Sequence, residues 1–186
     1  MKQMKSCLAV GLCLGLLVLY PLSASAQEPS ENPLSDGQRM LYESVKGNIV
    51  RSAEKMPEEQ FEFKPVPEVR SFRQILGHVG DTQYLFCSPI LGQNDQGPGI
   101  EQNLTGKAEV IKALKEAFAY CDKAYNSMTD AQASQLVNFF GGDHAKLTLL
   151  SFNTTHINDH YGNLVTYMRI NGLVPPSSES RGKPKQ

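Results

Sequence analysis

His156 and His160 stand four residues apart. In a helix that spacing stacks two imidazoles on one face about one turn apart, which is how a helix offers two nitrogens to one metal ion. An isolated pair of this kind is as commonly solvated or hydrogen-bonded. His78 changes the weighing, because it flanks an apolar stripe, one step from Val79 and three from Ile75, where a bundle can bring it against the pair. Three neutral imidazoles leave coordination positions open on an ion, the ligand arrangement of a catalytic site. Such an ion acidifies a bound water or polarises a carbonyl; imidazole-only ligation puts zinc and nickel first and iron or manganese next. Asp81, three residues beyond His78, is placed to orient a ligand or act as a general base, with a plain solvated carboxylate as the alternative. Asn153, Asn163 and Tyr167 lie three, three and seven residues from a paired histidine on the same helical side and are candidate pocket lining. His144 falls at the expected start of the last helix, far from His156, and is left out of the site. No Ser/His/Asp set, P-loop, dinucleotide-binding glycine motif or CxxC accompanies them.

The elements that must hold these residues read as helices. Ser35, with Gln38 three residues on, is the expected cap of a first helix carrying Leu41, Val45, Ile49, Ala53 and Met56, stopped by Pro57. Ser71 with Gln74 opens a second, with Phe72, Ile75, Leu76, Val79, Phe86 and Ile90 on one side, running to about Leu91 before the loop QNDQGPG. After Thr105 a third keeps Ile111, Leu114, Phe118, Cys121, Tyr125 and Met128 at steps of three and four. The fourth begins after Gly141 and Gly142 with Asp143 as cap and ends at Asn171 and Gly172, ahead of Pro175 and Pro176. No stretch alternates long enough for a sheet, so the expectation is all-α, a four-helix bundle. Its connections are long enough for crossovers, which leaves up-up-down-down and up-down-up-down both open.

The first 26 residues belong to something else. Lys2 and Lys5, an apolar run from Cys7 to Tyr20 and the triplet Ala24-Ser25-Ala26 read as a signal peptide cut near Ala26. The run of about 14 residues is shorter than the roughly 20 a spanning helix needs, so no stable span is expected after cleavage. The expected destination is periplasmic or extracellular. Residues 27–33 follow as a linker, 34–176 as the domain and 177–186 as a loose tail. The whole chain carries a formal charge of −1. Loss of the two leader lysines makes it more acidic, and such a surface gives no grip on nucleic acid. Cys87 and Cys121 remain. With the second and third helices antiparallel, they fall roughly 15 to 20 Å apart along the axis, beyond disulfide reach.

Two segments, SFRQILGHVGDTQYLFC at 71–87 and HINDHYGNLVTYMRINGLVPP at 156–176, resemble the DinB-like proteins. The second has that family's two histidines four apart, a following Tyr-Gly, a Tyr-x-Arg near the helix end, then Gly and paired prolines. Helix order and connection lengths agree from about Leu34 to Pro176. The resemblance implies an up-up-down-down bundle with a divalent metal on His78, His156 and His160. It also implies a metal-dependent hydrolase, or a thiol S-transferase, acting on an unknown small molecule. Export weakens the transferase version, because cytosolic thiols are scarce outside the cell. A non-catalytic metal- or ligand-binding bundle is the alternative, and a homodimer is open.

Overall fold

The computed structural model describes residues 30–179. The leader expected over 1–26, the beginning of the 27–33 linker and the end of the 177–186 tail lie outside those residues. In chain order the elements are α1 (Pro33–Lys55), α2 (Phe72–Ile90), α3 (Ile100–Asn103), α4 (Lys107–Ser127), α5 (Asp130–Ala133), β1 (Leu136–Phe139), β2 (Gly142–Ala145) and α6 (Lys146–Ile170). The long helices α1, α2, α4 and α6 form the expected all-α four-helix bundle. No described helix is long and apolar enough to cross a membrane.

Side-chain pairs fix the helix directions. Lys46 on α1 pairs with Asp122 late in α4, and Glu54 with Lys115 early in it, so these two run antiparallel. Gln38 donates to Thr154 near the starts of α1 and α6, and Lys55 donates to the Val174 carbonyl beyond their ends, so this pair is parallel. Gln83 meets Asn153 while Tyr167 meets Arg70, so α2 and α6 are antiparallel. The order is therefore up-down-down-up, which corrects the up-up-down-down expectation. The physical reason lies in the first connection. Its residues fold back under the core, with Phe72 N–H donating to Phe63 O at 2.9 Å and Arg73 N–H to Phe61 O at 2.8 Å, instead of crossing the bundle's length. Only the α2–α4 connection crosses from one end to the other.

That parallel α2/α4 pair overturns the cysteine expectation. Cys87 and Cys121 both sit near the C-terminal ends of their helices, their Cα atoms are 5.3 Å apart, and they form a disulfide. The axial separation argued from sequence held only for antiparallel neighbours.

Ser71 and Gln74 make the expected reciprocal capping box on α2. At α1 the cap differs. The helix begins at Pro33 behind Asn32, and the Asp130 carboxylate accepts the N–H groups of Leu34 and Ser35 at 3.1 and 2.8 Å. Ser35 is not the cap residue of this helix. Asp143 likewise does not cap α6, because 142–145 pairs with 136–139 as an antiparallel hairpin absent from the sequence reading. Its two-residue turn puts Phe140 and Gly141 at φ 50° and 81°, the left-handed pair of a type I′ turn. Gly172, at φ 72°, ends α6 as expected, with Leu173 N–H donating to Met168 O at 2.9 Å. The tail is tied down over its first residues. Tyr161 donates to the Ser177 hydroxyl at 2.8 Å, and Lys55 pairs with Glu179 at 2.7 Å.

The core runs the length of the bundle through fully buried Ile49, Leu76, Leu114, Leu150, Ile157 and Leu164. Each contributes roughly 1.5–3 kcal/mol relative to exposure. A Tyr42–Tyr125 stack at 3.7 Å lies among them.

Candidate metal centre

The antiparallel contact of α2 and α6 brings His78, His156 and His160 together, their ligating atoms all within 4.8 Å of one another. His156 Nε2 lies 3.1 Å from His78 Nε2 and 3.1 Å from His160 Nε2. Two nitrogens that each stand 2.0–2.1 Å from one ion sit about this far apart. The outer ring nitrogens show how the imidazoles are held. The Thr82 hydroxyl donates to Val79 O at 2.9 Å, leaving its lone pair to accept from His156 Nδ1–H at 3.5 Å. His156 then turns a bare Nε2 lone pair toward two further Nε2 atoms. His78 Nδ1 lies 3.5 Å from the Glu101 carboxylate, the carboxylate–histidine arrangement that orients metal ligands. His160 Nδ1 is buried and has no partner among the described residues. Three nitrogens converging on one point need a proton or a cation between them, and the donor set fits a divalent transition metal.

The electrostatics agree with neutral ligands. Burial lowers the pKa of all three histidines; for His156, with the neighbouring His160 adding to it, the value falls to about 4. The Arg70 charge pushes each of the three the same way. All three are therefore unprotonated at neutral pH, the state that binds metal.

Glu101 reaches this site by a route no sequence period marks. Asp81 Oδ1 and Oδ2 accept the N–H groups of Ile100 and Glu101 at 2.6 and 3.0 Å, pinning the short α3 to the side of α2. The contact needs glycines. A Cβ on Gly77 would lie 2.6 Å from Glu101 Cα, and one on Gly80 would lie 2.6 Å from the Ile100 side chain. Asp81 thus acts on the histidines through Glu101, both its oxygens being engaged by backbone. Arg70 Nε donates to the other side of the same Glu101 carboxylate at 2.8 Å.

Of the other residues singled out from sequence, Asn163 and Tyr167 line a cleft beside His160 of about 610 Å³, together with Lys64, Arg70, Gln74 and Glu101. Tyr167 donates to Arg70 O at 2.9 Å. Asn153 lies elsewhere: fully buried, it exchanges hydrogen bonds with Gln83 and donates to Tyr125 Oη at 3.2 Å and to Cys121 Sγ at 3.4 Å. It sets the α2/α6 register one turn before His156 and is not among the residues lining the cleft beside His160. His144 is exposed on β2, outside the site. Glu101, Arg70 and Thr82 are the site residues that sequence reasoning did not reach.

Residues 41–164 match the family model of the DinB superfamily. Among solved structures the chain is similar to a DinB-like protein from Bacillus cereus ATCC 10987, with TM-score 0.66 and 16% identity over 76% of this chain and 95% of that one. A DinB-like protein from Bacillus subtilis gives TM-score 0.62 and 21% identity over 81% and 99%. A mycothiol-dependent maleylpyruvate isomerase gives TM-score 0.58 and 14% identity over 70% of this chain, which spans 60% of that longer protein. At these identities the likeness shows the fold. No curated protein sequence matches the chain.

Proposed function

The chain belongs to the DinB superfamily, and from that premise we propose that it is an exported metal-dependent hydrolase of a small molecule, holding a divalent ion through His78, His156 and His160. The observation that carries the reading is the convergence of three Nε2 atoms, with the His156 and His78 rings held from behind by Thr82 and Glu101. Zinc or nickel suits the donors best, with iron or manganese behind them. A bound ion supplies Lewis acidity and a water acidified toward neutral pH. The protein's own residues do the rest. Glu101 and Thr82 fix the orientations of the His78 and His156 rings, Arg70 donates to Glu101 beside them, and the cleft lined by Asn163 and Tyr167 admits a ligand to the His160 side. The Cys87–Cys121 disulfide supports the export reading, since such bonds persist in oxidising compartments. Among the fold relatives the maleylpyruvate isomerase is mycothiol-dependent; scarcity of such thiols outside the cell favours hydrolysis here.

Elemental analysis of the protein purified after loading with zinc or nickel tests the metal reading. Close to one ion per chain is expected, with loss in His78→Ala, His156→Ala and His160→Ala; a wild type that holds no metal defeats it. Turnover of an ester and amide panel that disappears with the metal is expected of a hydrolase. Stoichiometric metal with no turnover assigns the protein to the non-catalytic metal binders.

A further inference from the structure

Gln74 offers more than its place in a helix cap requires. Its Oε1 accepts from Ser71 N–H at 2.8 Å, and its own backbone N–H donates to Ser71 Oγ at 3.2 Å. A backbone N–H needs an acceptor, so the side-chain amide is turned with its oxygen toward Ser71 and its NH2 away. Glutamate would complete the same box, and its charge would suit the start of a helix better. What glutamine adds is a pair of N–H donors. Among the described residues Gln74 Nε2 is neither hydrogen-bonded nor enclosed, although the residue itself is half-buried. The open space it meets is the cleft, which Gln74 lines together with His160. It stands one turn before His78, on the same face of α2.

Most other donors around this cleft are taken. Phe72 and Arg73 N–H donate to Phe63 O and Phe61 O, so the start of α2 turns no free backbone donor to an anion. Tyr167 Oη donates to Arg70 O, Arg70 Nε to Glu101, and Lys64 Nζ to Pro67 O at 3.1 Å. In the same lining Glu68 and Glu101 match the charges of Lys64 and Arg70, so no net charge selects an ion. Asn163, one turn beyond His160, sets a second uncharged amide on the α6 wall.

We propose that Gln74 determines which ligands this cleft takes. Its Nε2 donates to the carbonyl oxygen of a neutral ester or amide lying beside His160, while the Asn163 amide meets the ligand's other polar group from the α6 wall. Because Oε1 is already tied to Ser71, the donor is oriented before the ligand arrives, and little side-chain freedom is lost on binding. This deepens the hydrolase reading by naming the class of bond presented, and rests on that reading only for the fate of the bond.

NMR titration of the full mature chain with N-acetylglycine methylamide, a neutral diamide, tests it through the side-chain amide signals of Gln74 and Asn163. Those of Gln74 are identified by their loss in Gln74→Glu. Both sets are expected to shift together to saturation. Gln74→Glu keeps the acceptor that Ser71 needs and removes the donor. It should weaken binding by about tenfold or more, the worth of one hydrogen bond, as read on the Asn163 signals, with a thermal midpoint no lower than wild type. N-acetylglycine, with a carboxylate in place of the second amide, should bind no more tightly than the diamide. Gln74 signals that stay in place, a Gln74→Glu protein that binds as the wild type does, or tighter binding of N-acetylglycine each overturn the proposal. A glutamine that served the cap alone would give the second of these results. The titration is run on metal-stripped protein, and an ester turnover assay on the zinc-loaded form. Binding that depends on Gln74 without turnover defeats only the hydrolase reading. Metal-dependent turnover indifferent to Gln74→Glu, with no shift at Gln74, defeats only this one.

Discussion

At the scale of single residues, the site depends on imidazoles kept neutral. Each histidine has a folded-state pKa below its unfolded value of 6.5, so the unfolded chain binds more protons between the two. Stability of the metal-free protein is therefore complete above about pH 6.5 and falls as the pH drops toward 4. Denaturant midpoints measured across that window with chelator present should show the loss, and His156→Gln should flatten it. A profile flat from pH 7 to 4 contradicts the burial argument. The residues behind the histidines matter next. Glu101→Gln and Thr82→Val should each weaken zinc affinity by about 10- to 100-fold with little change in melting, measured by competition with a chromophoric chelator. The histidines were legible because a spacing of four on a helix has one meaning for direction. Glu101 and Arg70 were not, because both reach the site from connections, where no period says which way a side chain faces.

Among elements, the short α3 does most to separate this bundle from a plain one. It is four residues long and would not stand alone in water. It is held because Asp81 accepts its first N–H groups and because Gly77 and Gly80 leave room for its backbone and for Ile100. Gly77→Ala puts a methyl 2.6 Å from Glu101 Cα, so α3 must move off. A cost of about 1–3 kcal/mol is expected in urea denaturation, together with weaker zinc binding; zinc affinity equal to wild type would show that Glu101 does not need its place. Sequence showed the four long helices, and even the Ser71–Gln74 box, because amphipathic periods and caps are local. The hairpin escaped notice because each strand is only four residues long and its turn carries Phe140 where Asn usually marks a type I′ turn. Helix directions escaped for a different reason: they follow from where a connection folds, as 56–71 does beneath the core, and not from any helix's own pattern.

For the whole molecule, the disulfide joins the two parallel helices across a sequence separation of 34. Closing a loop of that size in the unfolded chain contributes about 3–4 kcal/mol by chain entropy. Cys87→Ala/Cys121→Ala should lower the thermal midpoint by roughly 10 °C in a domain of this size, read by calorimetry. Asn153 donates to Cys121 Sγ and shares amide hydrogen bonds with Gln83, so the same bridge braces the α2/α6 register that aligns the imidazoles. The up-down-down-up order has one more effect, on timing. His78 is 78 residues ahead of His156, and α6 is the last long helix of the bundle. No growing chain can bring the three histidines together until its final helix has docked. An ion bound as proposed at His78, His156 and His160 would therefore be acquired only once α6 has docked.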